Sequence, residues 1–457
     1  MEIFMDQNTA ERSRLKKKVL WGSLLLYISF LFLTVVIRSV TIGVTFDESH
    51  TYIAFGRIDL FRWSTLMDLF GKNSVANNHW LNSILINLLH RTVRVDYNEF
   101  MIRLPSLFFF YLYIAGIVYG YRKGFYSLIT LIFLISNYYL LEYYGLARGY
   151  GMANTWVFFA YLALLKWEKS NYRQPKYLNW IMFSMSFAVL SNTIVLLLYP
   201  AIALIGLYRL IQHKQFRPFF KRCGVILILF LAFSLMMLRY HMNISSDGKP
   251  LYTGGDESYF INVIRGYIWT FISAEKITTG LALAATLLIC GCVIFSGRDL
   301  LNRNGPIMLI LFVLTNLLMQ LALHKGYIAT RVLIPFYAFH VICLYELFSM
   351  SFSKLKRIQS RRGKKTALSH MDTAVRWVKA AVCAIVILLC LGKTDLYSTR
   401  DDSMDFKFKT WVEGAELTGI DYPGDMYRNA AEDFYEQKIE NHKTNYIEQM
   451  REYGITE

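Results

Sequence analysis

Val19-Leu20-Trp21-Gly22-Ser23-Leu24-Leu25-Leu26-Tyr27-Ile28-Ser29-Phe30-Leu31-Phe32-Leu33-Thr34-Val35-Val36-Ile37 carries no charge over its whole length. A helix needs about 20 apolar residues to cross the hydrocarbon of a bilayer, and this run has that length. Arg12, Arg14, Lys16, Lys17 and Lys18 precede it, and no small-residue cleavage site follows. The run is therefore expected to be a retained first helix with its N-terminus in the cytoplasm, not a cleaved signal peptide.

Similar runs recur at 102–121, 125–143, 149–166, 177–192, 193–211, 222–240, 278–296, 306–323, 331–349 and 378–393. Hydrophobic residues make up 55% of the chain and charged residues only 18%, against about a quarter charged in soluble domains. The expected fold is an all-α polytopic membrane protein with about 11 transmembrane helices. The stretch His79–Val93 is apolar but short, and it carries Asn82, Ser83, Asn87 and His90. If it spans, every later loop changes sides. If it lies along the interface, 27 of the 49 Lys and Arg fall in the N-terminal segment and in short loops on that same side. The second arrangement obeys the positive-inside rule, so residues 79–93 are expected to form an amphipathic juxtamembrane helix. The first outer loop is then 38–101 and the second large one 241–277. Residues 1–394 form the transmembrane domain, and 395–457 a small extracytoplasmic C-terminal domain.

The formal charge of +16 does not point to nucleic acid. Residues 395–457 hold fifteen acidic and seven basic residues, which leaves the rest of the chain near +24, concentrated in short loops between apolar runs. All six cysteines fall in apolar segments, where they are expected to be small buried hydrophobes. There is no internal repeat suggesting inverted transporter halves, no Gly-rich phosphate loop, no metal-type His/Cys cluster and no Gly-x-Ser-x-Gly elbow.

The topology gathers the polar, non-repetitive stretches on the outer face. Thr45-Phe46-Asp47-Glu48-Ser49-His50 follows the first span. Ionised groups beside hydrocarbon are costly and usually functional, and partial desolvation there favours proton uptake, as a general base requires. Asn77 or Asn78 can cap the helix that begins near His79, and His79 can point towards a sugar or a phosphate. Arg103, in Arg103-Leu104-Pro105-Ser106, can snorkel to headgroups or bind a phosphate; Pro105 is expected in the first turn of its helix. Glu142 brackets the turn Tyr144–Tyr150 and can pair with Arg148. Arg148, Lys325 and Arg331, at similar depth, can together bind a lipid phosphate that leaves as an anion.

The ordered set Asp47-Glu48, Asn78-His79-Trp80-Leu81, Arg103-Leu104-Pro105-Ser106, Ala147-Arg148-Gly149-Tyr150 and Arg331 with Pro335 resembles the C-type (GT-C) integral membrane glycosyltransferases. The nearest branch is that of protein mannosyltransferases and lipid A aminoarabinose transferases. The chain has His79-Trp80 where many of that family have His-Pro. The resemblance implies juxtamembrane helices in the first outer loop and a monosaccharide donor linked to polyprenyl phosphate. It implies Asp47 as general base for an inverting transfer, Glu48 in support, and Arg148, Lys325, Arg331 and Arg103 on the donor phosphate. His79, Asn78 and Tyr150 would orient substrate. The acceptor is a glycan, lipid or protein, and the setting a bacterial inner membrane with an extracytoplasmic active site. No cofactor is required, although the carboxylate pair and histidine leave room for a divalent metal. The rival is a polymerase, ligase or flippase-like carrier of lipid-linked glycans, which would share the phosphate-binding cations but need no acidic base. A structural or sensor protein would make the clustering on one face an accident.

Overall fold

The computed structural model describes residues 2–41, 48, 51, 60, 62, 65, 79–93, 99–246, 279–323, 330–361 and 365–393. The C-terminal segment 395–457 and most of the loop 241–277 lie outside the described residues. The elements assigned among those described are all helical: α1 (Glu2–Thr41), α2 (Trp80–Val93), α3 (Glu99–Arg122), α4 (Leu128–Ile135), α5 (Tyr138–Gly145), α6 (Gly149–Lys169), α7 (Lys176–Ser191), α8 (Tyr199–Gln212), α9 (Phe216–Ser246), α10 (Thr279–Ser296), α11 (Asn304–Leu323), α12 (Tyr337–Arg361) and α13 (Lys365–Lys393). Short 3-10 segments, Thr193–Leu198 and Thr330–Phe336, lead into α8 and α12, and a third, Gly297–Asn302, joins α10 to α11.

Seven helical stretches among the described residues are long and apolar enough to cross a membrane, the architecture of a polytopic membrane protein. They differ in what their apolar surface touches. The spans within α3 and α12 are 56% and 67% buried, whereas those of α10 and α13 are only 6% buried. Apolar side chains facing outward on this scale, such as Ile294 and Leu388, are unfavourable in water and neutral in lipid. The outer helices therefore face hydrocarbon and the inner ones face protein.

The inner core is built on α6. Nearly every residue from Gly149 to Leu165 is buried, and a helix buried all round belongs in the middle of a bundle. Its polar residues are consumed internally. Asn154 donates to the Tyr144 hydroxyl and accepts from the Ala338 N–H at 2.9 Å, while Thr155 bonds the Phe109 carbonyl. Contacts fix the helix directions. Trp21 meets Tyr121 and Phe32 meets Phe110, so α1 and α3 are antiparallel. Thr155 reaches Phe109 and Lys169 reaches the Lys123 carbonyl, so α3 and α6 are parallel. Gly149 lies against the Ser191 carbonyl and Trp156 packs on Phe183 and Phe187, making α7 antiparallel to α6.

The apolar run 125–143 is two helices, not one. They break at Ser136-Asn137, where Asn137 Oδ1 caps α5 by accepting the Leu140 N–H at 2.9 Å. Buried Ser136 meets the Tyr27 hydroxyl at 2.7 Å, and Tyr337 donates to the Phe133 carbonyl. These bonds satisfy polar groups that a break inside hydrocarbon would otherwise leave bare. Helix α3 starts at Glu99, earlier than its apolar run, so Pro105 sits inside the helix and not in its first turn.

Candidate functional site

The C-terminus of α1, the N-termini of α3 and α6, the C-terminus of α7 and the start of α2 meet at one end of the bundle. A buried carboxylate ties them together. Glu48 accepts Nε of Arg103 at 2.8 Å and Nη2 at 2.7 Å, a two-pronged pair with both side chains fully buried. Its Oε1 also accepts the Ala147 N–H at 2.5 Å, and Arg103 Nη1 donates to the Ser39 carbonyl at 2.9 Å. Glu48, together with Arg103, thus joins α1, α3 and the turn before α6. The planar guanidinium matches the two carboxylate oxygens, and further donors complete their coordination, the condition under which a buried ion pair is tolerated. A second buried pair lies alongside: Arg38, in the last turn of α1, is bonded through Nη2 to Glu142 at 2.8 Å. The sequence suggested Arg148 as the partner of Glu142; α1 supplies Arg38 to it instead.

The turn between α5 and α6 is held from both sides. Ala147 gives its N–H to Glu48, and its carbonyl accepts Nδ2 of Asn82, from α2, at 2.7 Å. Arg148 follows as the N-cap residue of α6, 1% exposed, with its guanidinium 5.5 Å from the Tyr150 ring centre. Tyr150 is packed between His79, 4.9 Å away edge-on, and Tyr143 at 4.8 Å. Buried His79 has Nδ1 3.0 Å from the Ser191 carbonyl. A carbonyl only accepts, so Nδ1 carries the proton of that bond and, in the neutral ring, Nε2 is the basic nitrogen. Gly149 makes the approach possible: a Cβ there would lie 2.0 Å from the Ser191 carbonyl oxygen and 2.8 Å from His79 Cβ.

Helix α2 turns polar side chains towards the protein. Its polar residues Asn82, Ser83 and Asn87 are fully buried, while Leu88 and Val93 are exposed. The polar stripe faces the bundle end and the Ala147 turn, and part of the apolar stripe faces out, the sense suited to a helix resting against lipid.

The structure therefore brings Glu48, Arg103, Arg148, His79 and Tyr150 together. Asp47, Asn78 and Lys325 lie outside the described residues, and of Arg331 only the backbone, in the 3-10 segment before α12, is described. Asn82, Ser191, Ser39 and Arg38 are members that sequence reasoning did not assign to the site. Of these, Asn82 left a signal, as one of two amides in a short, largely apolar stretch. Among the described residues no three His, Cys, Asp or Glu side chains converge as a metal site. The arrangement can fix a cation, Arg148, beside the N-terminal N–H groups of α6, where the helix dipole also favours an anion. It holds an imidazole and a tyrosine ring within reach of that cation. Comparison of the chain with family models, curated proteins and solved structures finds no match.

Proposed function

We propose that this end of the bundle is the active site of an integral membrane glycosyltransferase of the C type, which moves a monosaccharide from polyprenyl phosphate to an acceptor hydroxyl on a glycan, lipid or protein. The observation that carries the proposal is the clamping of Ala147 by Glu48 and Asn82, which fixes buried Arg148 one residue further on. Such rigidity is wanted where a charge that develops in a transition state must meet a pre-set cation. The acceptor oxygen attacks the anomeric carbon as the bond from that carbon to the phosphate oxygen breaks. The electron pair leaves with the phosphate, and the acceptor's proton passes to Asp47, the neighbour of Glu48 in sequence. Glu48 and Arg103, paired with each other, serve as frame, and Arg148, Lys325 and Arg331 meet the phosphate. His79 and Tyr150 border the sugar.

In this reading the chain crosses the membrane eleven times. The broken pair α4–α5 counts as one crossing, because parallel α3 and α6 need a return pass between them, and the buried, less apolar α6 and α7 and helix α11 complete the number. The loops rich in Lys and Arg face the cytoplasm, and the active site opens on the far side of a bacterial inner membrane.

The test is turnover of a synthetic polyprenyl-phosphate sugar by the purified protein in liposomes, read as release of polyprenyl phosphate. Asp47→Asn should reduce release by at least about a thousandfold, the scale of losing a base together with its electrostatic contribution, with thermal stability unchanged. Release of the lipid phosphate by Asp47→Asn at the wild-type rate would remove Asp47 from the chemistry. No release from a panel of sugar donors by the wild-type protein would favour the carrier alternative.

A further inference from the structure

The opposite end of the bundle holds a second polar site, unconnected with the chemistry above. Helix α6 runs from its N-cap residue Arg148 to Lys169, about 30 Å away at 1.5 Å per residue. Between the C-terminal ends of α3, α6 and α12 and the Gly297–Asn302 segment lies an open cleft of about 420 Å³. Its walls carry both signs of charge. Arg303 meets Glu168 and Arg357 meets Asp299, each at 3.4 Å, with the two arginine side chains 57% and 63% exposed. Pairs of that length on exposed arginines contribute little, so they exchange partners at small cost.

The floor is different. Glu346, in membrane-spanning α12, is 9% exposed, accepts from the Tyr161 hydroxyl at 3.0 Å and from the Gly305 N–H at 3.2 Å, and still lines the cleft. A Cβ on Gly305 would lie 2.6 Å from the Glu346 carboxylate, so the glycine is what leaves room for it. An ionisable residue built into an apolar span in this way is costly and normally marks a ligand or ion path. Phe125, Leu165 and Tyr345 supply apolar wall beside it.

We propose that this cleft binds the headgroup of a zwitterionic aminophospholipid. The phosphate would sit against Arg303 and Arg357 at the mouth, and the primary ammonium would reach down to Glu346 and Glu168. A ligand of this class carries both charges in the order the cleft presents them, its N–H donors suit buried carboxylate oxygens, and its acyl chains continue along the apolar wall into the bilayer. A purely anionic lipid would leave the floor carboxylate unmatched.

The experiment uses the full-length protein in detergent micelles, with retention of added lipid measured by native mass spectrometry. The probes are short-chain phosphatidylethanolamine, phosphatidylcholine and phosphatidylglycerol. Phosphatidylethanolamine should bind at least about tenfold more tightly than phosphatidylcholine, whose quaternary nitrogen has no N–H to donate, and than phosphatidylglycerol, which has no cation. Tenfold corresponds to about 1.4 kcal/mol. The exposed double variant Arg303→Ala/Arg357→Ala should fold normally and lose that binding. Glu346→Gln should erase the preference for phosphatidylethanolamine over phosphatidylglycerol. Equal binding of all three lipids, or undiminished binding by the double variant, would overturn the proposal. Full competition by soluble glycerophosphoethanolamine at the same concentration would overturn the assignment to a lipid.

Discussion

At the residue scale, the important distinction is between charges that act on a substrate and charges that hold the frame. Glu48 and Arg103 are each buried and each the other's partner. Replacing Glu48 by Gln leaves a guanidinium in a dry site, so the expected loss is about 3–5 kcal/mol of unfolding free energy. Glu48→Gln combined with Arg103→Met should recover part of that loss in detergent unfolding curves, because the uncompensated charge is gone. A catalytic Glu48 would instead lose activity with stability intact, so comparison of the single and double variants separates the two roles. The identity of the pair was only half legible in the sequence. Two carboxylates after the first span and an arginine at the mouth of the next are conspicuous, but nothing in a linear chain says that they meet across 55 positions. Arg38 and Glu142, 104 positions apart, were less legible still.

A titratable group outside the spans gives a second residue-scale prediction. His213, in the turn after α8, lies 4.4 Å from the Tyr172 ring and near Arg209. Partial burial first, and the Arg209 charge second, hold its pKa below the ordinary 6.5. The unfolded chain therefore binds the proton more readily than the folded one. Stability from this residue is fully present above about pH 6.5, and it declines as the pH falls from there towards the depressed folded value. Thermal unfolding between about pH 5 and 8 should show this acid loss reduced in His213→Phe, which keeps the ring but cannot protonate. An identical pH profile for the two proteins would show that His213 contributes nothing to it.

At the element scale, helix α2 and the broken α4–α5 pair show why hydropathy alone misleads. The apolar content of 79–93 correctly gave a short helix, but a one-dimensional pattern does not say which stripe faces protein. In α2 the amides face inward, because Asn82 is needed by the Ala147 carbonyl. Asn82→Leu therefore discriminates. If the polar stripe met water, added hydrophobicity would be harmless or helpful. With the amide buried and bonded, the variant should lose about 1–3 kcal/mol by leaving a buried carbonyl unsatisfied, measured as a fall in detergent-unfolding midpoint. The break at Ser136-Asn137 carried a signal of its own, since a Ser-Asn step inside an apolar run is ordinary N-cap chemistry. It was overridden by the length of the run around it. Gly149 belongs here as well, where its role is steric at the junction of α6, α7 and α2.

At the scale of the whole molecule, the directions of the helices decide what hydropathy leaves open. Among the described residues seven stretches are long and apolar enough to span, yet α3 and α6 run parallel with 26 residues between Arg122 and Gly149. A chain can begin two parallel helices at the same end only by returning between them. The return is α4–α5, whose middle lies beside Tyr27 and whose end lies beside Arg38. Helix α6 falls outside those seven for a physical reason: facing protein, it can carry Asn154 and Thr155, which lipid would exclude. The proposed eleven crossings predict the sidedness of individual residues. In a background without the native cysteines, Lys169→Cys and Arg357→Cys should react with a membrane-impermeant maleimide only from the face of the N-terminus. Thr92→Cys, exposed at the end of α2, should react only from the opposite face. Labelling of positions 92 and 169 from one and the same side would break the alternation and, with it, the placement of Arg148 and Glu346 on opposite surfaces of the membrane.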